Sequence, residues 1–240
     1  MKYLDLTFEE PEANLAFDEA LLERMEADPS TDECLRVWQA KKHFVVLGHS
    51  NRWLSEANIS VCNENQMPIL RRISGGGTVM QGPGCLNYSL FLRIGARPLK
   101  NIGDTFAYVL QRHRLLINEI GRAKNVRIQG MSDLTIDGRK FSGNAQYRKS
   151  GCVLVHGTFL LSFDLKLIEE YLSLPAKQPA YRKARPHLEF VANLNLDALQ
   201  VCERLKTAWQ ANEEACQIPF ARTEELVSSR YSRPEWSKKF

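Results

Sequence analysis

Apolar side chains return every three or four positions in several stretches of the chain, which is the spacing of a helix with one buried face. The first such stretch is Asn14–Ala27, and the turn-forming residues Asp28–Ser30 end it. A longer one is Asp104–Ile120, which offers phenylalanine, valine, leucine and isoleucine to a core. Shorter helices are predicted at Ile59–Asn65, Leu165–Leu172, Asp197–Cys216 and Thr223–Tyr231.

Short apolar runs bounded by glycine, proline or polar residues are typical of strands. Leu86–Leu92 alternates in part between polar and apolar side chains, and Asp137-Gly138 is typical of a two-residue hairpin turn. Because strands and helices follow one another without regular alternation, the pattern favours an α+β fold over a doubly wound parallel sheet. Other strands are predicted at Leu35–Trp38, Phe44–Leu47, Pro68–Arg72, Thr78–Gln81, Val126–Gln129, Leu134–Ile136, Lys140–Ser142 and Val153–Leu161.

Composition and charge narrow the class of protein. The 240 residues are 44% hydrophobic and 25% charged, as in ordinary globular domains. We find no run of about 18 apolar residues, and Met1–Asp5 lacks a signal-peptide core, so we expect a cytoplasmic protein without a membrane span. A net charge of +4 is too small to indicate nucleic acid, although it suits an acidic ligand or partner. Ser173–His187, rich in Pro, Lys and Arg, is predicted to be a basic surface loop.

The six cysteines argue against a metal or disulfide scaffold. They are widely spaced and form no Cys-x-x-Cys pair, so neither a zinc site nor a disulfide framework is predicted. We expect most of them to be buried, reduced thiols. They are Cys34, Cys62, Cys85, Cys152, Cys202 and Cys216.

The segment Arg71–Val79 carries the strongest chemical signal, because two arginines precede a serine and three consecutive glycines. Bare backbone N–H groups in such a turn form a concave anion site, and guanidinium groups add donors suited to phosphate or carboxylate. The alternative is a plain turn between two strands. Neither the Walker A pattern nor the dinucleotide fingerprint is present in this segment.

A second candidate site follows the Asp137-Gly138 turn, where Lys140 is followed by the small residues Ser142, Gly143 and Ala145. A lysine at this place can act as a point charge on a phosphate or on a polarised carbonyl oxygen, and small neighbours let a ligand approach the backbone. An exposed hairpin with a solvated Arg139-Lys140 pair is the alternative.

Two further residues have both a functional and a structural interpretation. Asp133 could hold magnesium through its carboxylate, or it could serve as a turn or capping residue. His156 lies in the apolar run Val153–Leu161, where it is either a hydrogen-bonded core residue or a ligand contact beside Gly157.

Taken in order, these motifs resemble the catalytic domain of the lipoate–protein ligase A family, within the biotin/lipoate ligase superfamily. The resemblance spans nearly the whole chain. It is carried by Arg71–Val79, Asp133-Leu134, Gly138–Gln146 and His156–Thr158, with further likeness at Asn14–Leu22, Val45–Gly48 and Tyr231–Trp236.

The resemblance implies one catalytic domain over residues 1–240, with a mixed, mostly antiparallel sheet flanked by helices. The implied reaction uses ATP and Mg²⁺ to activate lipoate or octanoate as an acyl-adenylate. The acyl group then passes to a lysine of an acceptor lipoyl domain. Because the sequence stops at Phe240, we expect the family's C-terminal accessory domain to be absent, with either a separate accessory subunit or a self-sufficient enzyme.

The resemblance also implies roles for the motif residues. Lys140 would bridge the phosphate and the acyl carbonyl oxygen as the catalytic residue, and Asp133 would lie near the metal or nucleotide. The substrate and adenylate pocket would include Arg71, Arg72, Ser74, Gly75, Gly76, Gly77, Thr78, Val79, Asp133, Ser142, Gly143, Ala145, His156, Gly157 and Thr158.

Two other functions stay open. Gln81–Tyr88 departs from the ligase pattern and resembles a loop of octanoyltransferases, which would use a cysteine nucleophile and no ATP. The matching upstream stretch, Lys124–Arg127, has no cysteine, which leaves Cys85 and Cys152 as candidate nucleophiles. A non-catalytic binding protein is the second alternative, against which the lysine and both arginines argue. The Gly-Arg-Gly type signature of biotin ligases is missing.

Overall fold

The computed structural model describes residues 1–95, 97–121, 125–215 and 218–240. In these residues two sheets carry the strands, most of which coincide with the apolar runs in the sequence. They are β1 (Lys2–Asp5), β2 (Cys34–Trp38), β3 (Phe44–Leu47), β4 (Ile69–Arg71), β5 (Val79–Gln81), β6 (Cys85–Arg93), β7 (Val126–Gln129), β8 (Asp133–Ile136), β9 (Arg139–Arg148), β10 (Cys152–Leu160) and β11 (Glu213–Glu214).

Helices flank the sheets and connect them, and several begin at residues that favour a helix start. Pro11 stands in the first turn of the first helix, and the Asp197 side chain accepts a hydrogen bond from the Gln200 backbone N–H at the start of the seventh. The helices are α1 (Pro11–Ala27), α2 (Trp53–Glu56), α3 (Ile59–Glu64), α4 (Ile102–Gly121), α5 (Leu165–Tyr171), α6 (His187–Phe190), α7 (Ala198–Trp209), α8 (Phe220–Leu226) and α9 (Pro234–Ser237), with a 3-10 turn at Ala180–Arg182 and a π-helical turn at Val227–Tyr231.

The larger sheet has the strand order β11-β1-β2-β6-β10-β9-β8-β7 and is antiparallel except where β1 pairs with β2 and β11. The smaller sheet has the order β4-β3-β5. The prediction of an α+β fold with a mixed, mostly antiparallel sheet flanked by helices is confirmed.

Side-chain alternation along the strands divides the core between the two faces of the larger sheet. On β2, Leu35 and Val37 pack in a cluster with α4 and α7, whereas Cys34 and Trp38 pack on the other face with α1 and the smaller sheet. A third cluster joins the smaller sheet to α5 and α6. The smaller sheet therefore packs against the same face of the larger sheet as α1.

The first helix differs from the amphipathic helix predicted at Asn14–Ala27. It begins at Pro11, and its buried residues include Asn14, Asp18 and Glu19 as well as the apolar ones. Arg36 on β2 pairs with Asp18 at 2.7 Å, and its Nη2 donates to Asn14 Oδ1 at 2.8 Å. These polar partners come from distant parts of the chain, so the spacing of apolar residues does not reveal them.

Several predicted boundaries also change. The predicted strand Lys140–Ser142 is the start of the ten-residue strand β9, and the helix predicted at Asp197–Cys216 ends at Trp209. Cys216 and Lys124 lie outside the described residues. Within the described ranges, no helix combines the length and the apolar character that crossing a membrane requires.

Candidate active site

A cavity of about 390 Å³ lies between the two sheets. Its walls come from the glycine-rich loop before β5, from β9 and β10, and from the segment 173–191 that follows α5. Most residues singled out in the sequence line it. These are Arg72, Gly76, Gly77, Thr78, Val79, Asp133, Lys140, Ser142, Gly143, Ala145, His156, Gly157 and Thr158.

The glycine-rich loop joins two strands that are not neighbours in the sheet, so it is not the turn of a hairpin. It connects β4 to β5, and these two strands lie on opposite sides of β3. Gly76 has a φ of 91°, which is the left-handed conformation expected of such a loop. Arg72 holds the loop: its Nη2 donates to the carbonyl oxygens of Gly75 at 2.6 Å and Gly77 at 2.8 Å.

Arg71 and Arg72 have different surroundings, although they are adjacent. The Arg71 guanidinium is fully buried and donates to backbone carbonyl oxygens, among them those of Gly48 and Ser237 at 2.8 Å each. It anchors the C-terminal segment and does not line the cavity, so we remove Arg71 from the set of candidate ligand-binding residues. Burial lowers the pKa of Arg72 to about 10, and the guanidinium stays charged at neutral pH.

Ser74 and Gly75 do not line the cavity either: Ser74 is buried, and Gly75 is exposed. The Ser74 hydroxyl accepts a hydrogen bond from Arg72 Nε at 3.0 Å and is 2.6 Å from His156 Nε2. Burial, followed by the charge of Arg72, lowers the pKa of His156 to about 3, so this imidazole is neutral over the physiological range. Both sequence interpretations of His156 therefore hold together: it is hydrogen-bonded within the protein and it faces the cavity.

Lys140 reaches the cavity from the turn between β8 and β9. Asp137 and Gly138 have φ values of 49° and 75°, as a two-residue hairpin of the predicted kind requires. Lys140 Nζ lies 2.8 Å from Asp133 Oδ1, and both residues line the cavity. The alternative of a solvated Arg-Lys pair is therefore wrong for Lys140.

Gly143 makes room for the lysine side chain. It pairs with Asp133 across β8 and β9 and with Thr158 across β9 and β10. A Cβ atom at this position would lie 2.7 Å from Lys140 Nζ and 2.8 Å from its Cε, closer than real Cβ contacts. Because residue 143 has no side chain, the end of the Lys140 side chain can pack against the backbone of β9.

The segment predicted as a basic surface loop, Ser173–His187, forms one wall of the cavity, so that prediction is wrong in part. Arg182 is buried and stacks on Phe190, with its guanidinium carbon 4.6 Å from the ring centroid. Arg182 Nη2 lies 3.4 Å from His187 Nδ1, and His187 Nε2 lies 3.2 Å from the Ser173 carbonyl oxygen. Burial lowers the pKa of both Arg182 and His187.

Three polar side chains form a ring of hydrogen bonds on the cavity wall, which was not predicted from the sequence. Gln81 Nε2 donates to Thr158 Oγ1 at 2.7 Å, Thr158 donates to Asn87 Oδ1 at 2.5 Å, and Asn87 Nδ2 donates to Gln81 Oε1 at 3.0 Å. The ring joins β5 of the smaller sheet to β6 and β10 of the larger one. The polar residues inside apolar strands were the signal that could have indicated it.

The apolar part of the wall was also missing from the sequence analysis, because its members come from both sheets and from distant helices. At one side the cavity touches the cluster around α1, and at the other it touches the cluster around α5 and α6. The apolar lining includes Leu15, Trp38, Val46, Phe141, Leu160, Ile168, Leu172, Phe190 and Val191.

The five cysteines that the structure describes do not face this cavity. All five within the described ranges are buried and free, as expected, and none of them lines the wall. Burial raises the pKa of the Cys85 and Cys152 thiols to about 12 each. Neither thiol is therefore ionised at neutral pH in this structure.

The donor set does not fit a resident metal ion. In the described ranges no group of three or more His, Cys, Asp or Glu side chains lies close enough to hold one. Asp133, the predicted magnesium ligand, already shares its two oxygens between Lys140 and the hydroxyl of Tyr181. We therefore assign no metal-binding role to Asp133 in the chemistry below.

The cavity joins a cationic, glycine-rich wall to an apolar one, which suits a ligand with an anionic head and a hydrophobic tail. Together with the two-sheet fold, this defines an α+β domain with a ligand-sized cavity between its sheets. The family model described as "Lipoyl protein ligase A/B catalytic domain" matches residues 10–209, and the chain belongs to that family.

Relatives within the family include both ligases and transferases. The probable lipoate-protein ligase A of Mycoplasma pneumoniae is 30% identical over 165 residues, which cover 68% of this chain and 46% of that protein. The octanoyltransferase LipM of Oceanobacillus iheyensis is 26% identical over 228 residues, which cover 87% of this chain and 82% of that protein. The chain thus spans about half the length of the ligase relative.

Solved structures of lipoate–protein ligases share this fold. The bipartite ligase of Thermoplasma acidophilum, studied with its E2 lipoyl domain, superposes with a TM-score of 0.82 at 20% identity, covering 99% of this chain and 95% of that one. A lipoate-protein ligase A bound with ATP gives a TM-score of 0.81 at 21% identity, covering 99% and 98%. At these identities the comparison establishes the shared fold.

Proposed function

We propose that this chain is an ATP-dependent lipoate–protein ligase acting on lipoate or octanoate. In the first step a carboxylate oxygen of the acid attacks the α-phosphorus of ATP, and pyrophosphate leaves. In the second step the ε-amine of an acceptor lysine attacks the acyl carbonyl carbon, and AMP leaves. Because both steps build up negative charge on oxygen, a fixed cation beside the reacting atoms accelerates them.

The observation that carries the proposal is the position of Lys140 in the cavity. Its ammonium group lies 2.8 Å from Asp133 on the cavity wall, and a quarter of the side chain stays accessible. A lysine in this position can contact the phosphate and the acyl carbonyl oxygen of the same adenylate. The proposed role of Lys140 is electrostatic, with its side chain acting as a cation rather than as a nucleophile.

Two other parts of the wall support a fatty acyl-adenylate. The apolar side chains near α1, such as Leu15 and Trp38, offer a surface for a hydrocarbon tail. The backbone of Gly76 and Gly77 lets the ligand come close to the loop that Arg72 holds. Magnesium enters this scheme only as the counter-ion that ATP brings with it.

The transferase LipM gives the second candidate function its support, because it covers most of this chain. A transferase of this kind requires a thiolate at the reacting carbon. Cys85 and Cys152 are buried away from the cavity, and burial raises the pKa of both thiols to about 12. These observations favour the adenylate route over acyl transfer through either cysteine.

A lipoyl domain is the partner that we propose for the second step. The Thermoplasma ligase of the same fold was studied with its E2 lipoyl domain. That relative is bipartite, so a separate accessory subunit is compatible with the proposal. Adding such a subunit to the assays below tests this point.

Pyrophosphate exchange into ATP tests the proposed first step. We expect exchange only when lipoate or octanoate is present, and we expect Lys140→Ala to abolish it while the protein stays folded. Lys206→Ala is the matched control, since Lys206 lies on α7 and pairs with Glu203 on the other side of the larger sheet.

The same samples distinguish the transferase. A transferase would form an acyl-cysteine from an acyl-carrier thioester without ATP, and hydroxylamine would release the acyl group. Detection of such an acyl-cysteine would favour the transferase over the ligase. Exchange at the wild-type rate in Lys140→Ala would remove the lysine from its assigned role.

A further inference from the structure

Tyr181 belongs to the 3-10 turn Ala180–Arg182. This turn lies within residues 173–191, which form one wall of the cavity and are called the covering segment below. The Tyr181 hydroxyl donates to Asp133 Oδ2 at 2.6 Å. The other oxygen of the same carboxylate, Oδ1, pairs with Lys140 Nζ at 2.8 Å. One carboxylate therefore links the covering segment to the cation of the candidate active site.

The hydrogen bond from Tyr181 is a strong one with a fixed direction. Burial, followed by the charge of Asp133, raises the pKa of Tyr181 well above its usual value. The phenol therefore stays protonated and acts as the donor, and the carboxylate is the acceptor. Short O–H···O⁻ bonds of this kind are about twice as strong as neutral ones.

The backbone around Tyr181 is attached to the same hairpin that carries Lys140. Arg185 Nη2 donates to the Gly138 carbonyl oxygen at 3.0 Å, and the Ala192 backbone N–H donates to the Lys140 carbonyl oxygen at 2.9 Å. Arg139 Nη2 donates to the Val191 carbonyl oxygen at 2.7 Å. Tyr181 extends this attachment from the backbone of the hairpin to the ion pair itself.

We propose that Tyr181 is a positioning residue that acts on Lys140 through Asp133. The phenol fixes the carboxylate, so Asp133 Oδ1 faces Lys140 and directs the ammonium group into the cavity. When a phosphate draws Lys140 toward itself, Asp133 keeps one hydrogen bond and is not left buried without a partner. The inference rests on the proposed function, in which Lys140 meets the acyl-adenylate.

Tyr181→Phe removes the hydroxyl and leaves the ring, which packs 5.3 Å from the ring of Phe190 between centroids. We expect kcat of acid-dependent pyrophosphate exchange to fall roughly tenfold, with KM for the acid unchanged. Tyr108→Phe, on α4 beside Trp209, is the matched loss of a hydroxyl outside the cavity and should keep the wild-type kcat.

Two further measurements separate positioning from a general loss of structure. In the Asp133→Asn background, Tyr181→Phe should have no additional effect on kcat, because the route through the carboxylate is already broken. Amide hydrogen exchange across residues 178–192 should quicken in Tyr181→Phe and in Asp133→Asn, and the double variant should not exceed the faster single one. This second readout needs no catalytic turnover.

The outcomes are distinct. If the wild-type protein shows no acid-dependent pyrophosphate exchange, both the proposed function and this inference are contradicted. If the wild-type protein does exchange pyrophosphate, two results overturn the inference alone. One is an unchanged kcat in Tyr181→Phe, and the other is independent, additive effects of Tyr181→Phe and Asp133→Asn.

Discussion

Replacing Gly143 by alanine is a sharp test of how Lys140 is held, because it adds one methyl group and no charge. The new Cβ would lie 2.7 Å from Lys140 Nζ and 2.8 Å from Cε, whereas ordinary contacts begin at 3.4 Å. The ammonium group, which lies 2.8 Å from Asp133, must therefore move by about 0.7 Å away from residue 143. Backbone strain does not arise, since the φ of Gly143 lies outside the left-handed region.

A displacement on the order of 1 Å at a reacting group can lower a rate about a hundredfold, or about 2.7 kcal/mol of transition-state stabilisation. We expect kcat for acyl-adenylate formation in Gly143→Ala to fall by about that factor. The melting temperature should stay close to that of the wild type, because the displaced atoms are the end of a flexible side chain. Single-turnover kinetics and thermal denaturation measure the two quantities.

Gly103→Ala serves as the control, since residue 103 lies on α4 and a Cβ there meets its nearest atom, Asn101 Oδ1, at 3.4 Å. A Gly143→Ala enzyme with full kcat would contradict the requirement for a fixed Lys140, because the lysine would then tolerate displacement by the new methyl group. A large loss of melting temperature would instead show that residue 143 is required for packing.

Three further predictions concern stability and the choice of nucleophile. Arg36→Leu leaves the buried Asp18 carboxylate without its cation, and urea denaturation should show a loss of about 3–5 kcal/mol; a loss below about 1 kcal/mol would contradict the assigned pairing. Burial lowers the pKa of His113 and of His156 to about 3, so below pH 6.5 the unfolded chain binds protons that the folded chain does not. The free energy of unfolding should therefore fall by about 1.4 kcal/mol per pH unit for each histidine between pH 6 and 4, and His113→Gln should remove one of these contributions in pH-dependent urea titrations; an unchanged slope would contradict the pKa of His113. Cys85→Ala should keep acyl-adenylate formation and transfer to the acceptor within about twofold of wild type, since the thiol is buried away from the cavity; loss of transfer alone would favour the transferase.

The strands and the larger helices could be predicted from the sequence, because their apolar spacing reflects local geometry. The Asp137-Gly138 turn was equally readable, since its two residues tolerate positive φ. These local signals were enough to bring Lys140 to the end of a hairpin. They also gave the α+β class, although they did not give the separation into two sheets.

The different roles of Arg71 and Arg72 could not be read from the sequence. Neighbouring residues at the end of a strand point to opposite sides, so one guanidinium reaches the C-terminal segment and the other reaches the glycine-rich loop. Which side faces the cavity depends on how the smaller sheet packs against the larger one. That packing is a long-range property, and one sequence does not encode it in any local pattern.

The covering segment shows the same limit in another form. Its composition resembles that of a solvated loop, yet Arg182 is buried against Phe190 and Tyr181 reaches Asp133 across 48 positions of the chain. Long polar side chains pack their apolar parts and keep hydrogen bonds at their ends. Composition alone therefore misplaces such residues on the surface.

The proposed ligase reaction depends on a cation in this cavity that stabilises a mixed anhydride of a fatty acid and AMP. Mass spectrometry of the protein incubated with octanoate and ATP, in the absence of any acceptor, measures this intermediate directly. We expect octanoyl-AMP bound to the wild-type protein and to Lys206→Ala, and none with Lys140→Ala. Octanoyl-AMP at wild-type levels with Lys140→Ala, or no octanoyl-AMP with the wild-type protein, would contradict the proposed reaction.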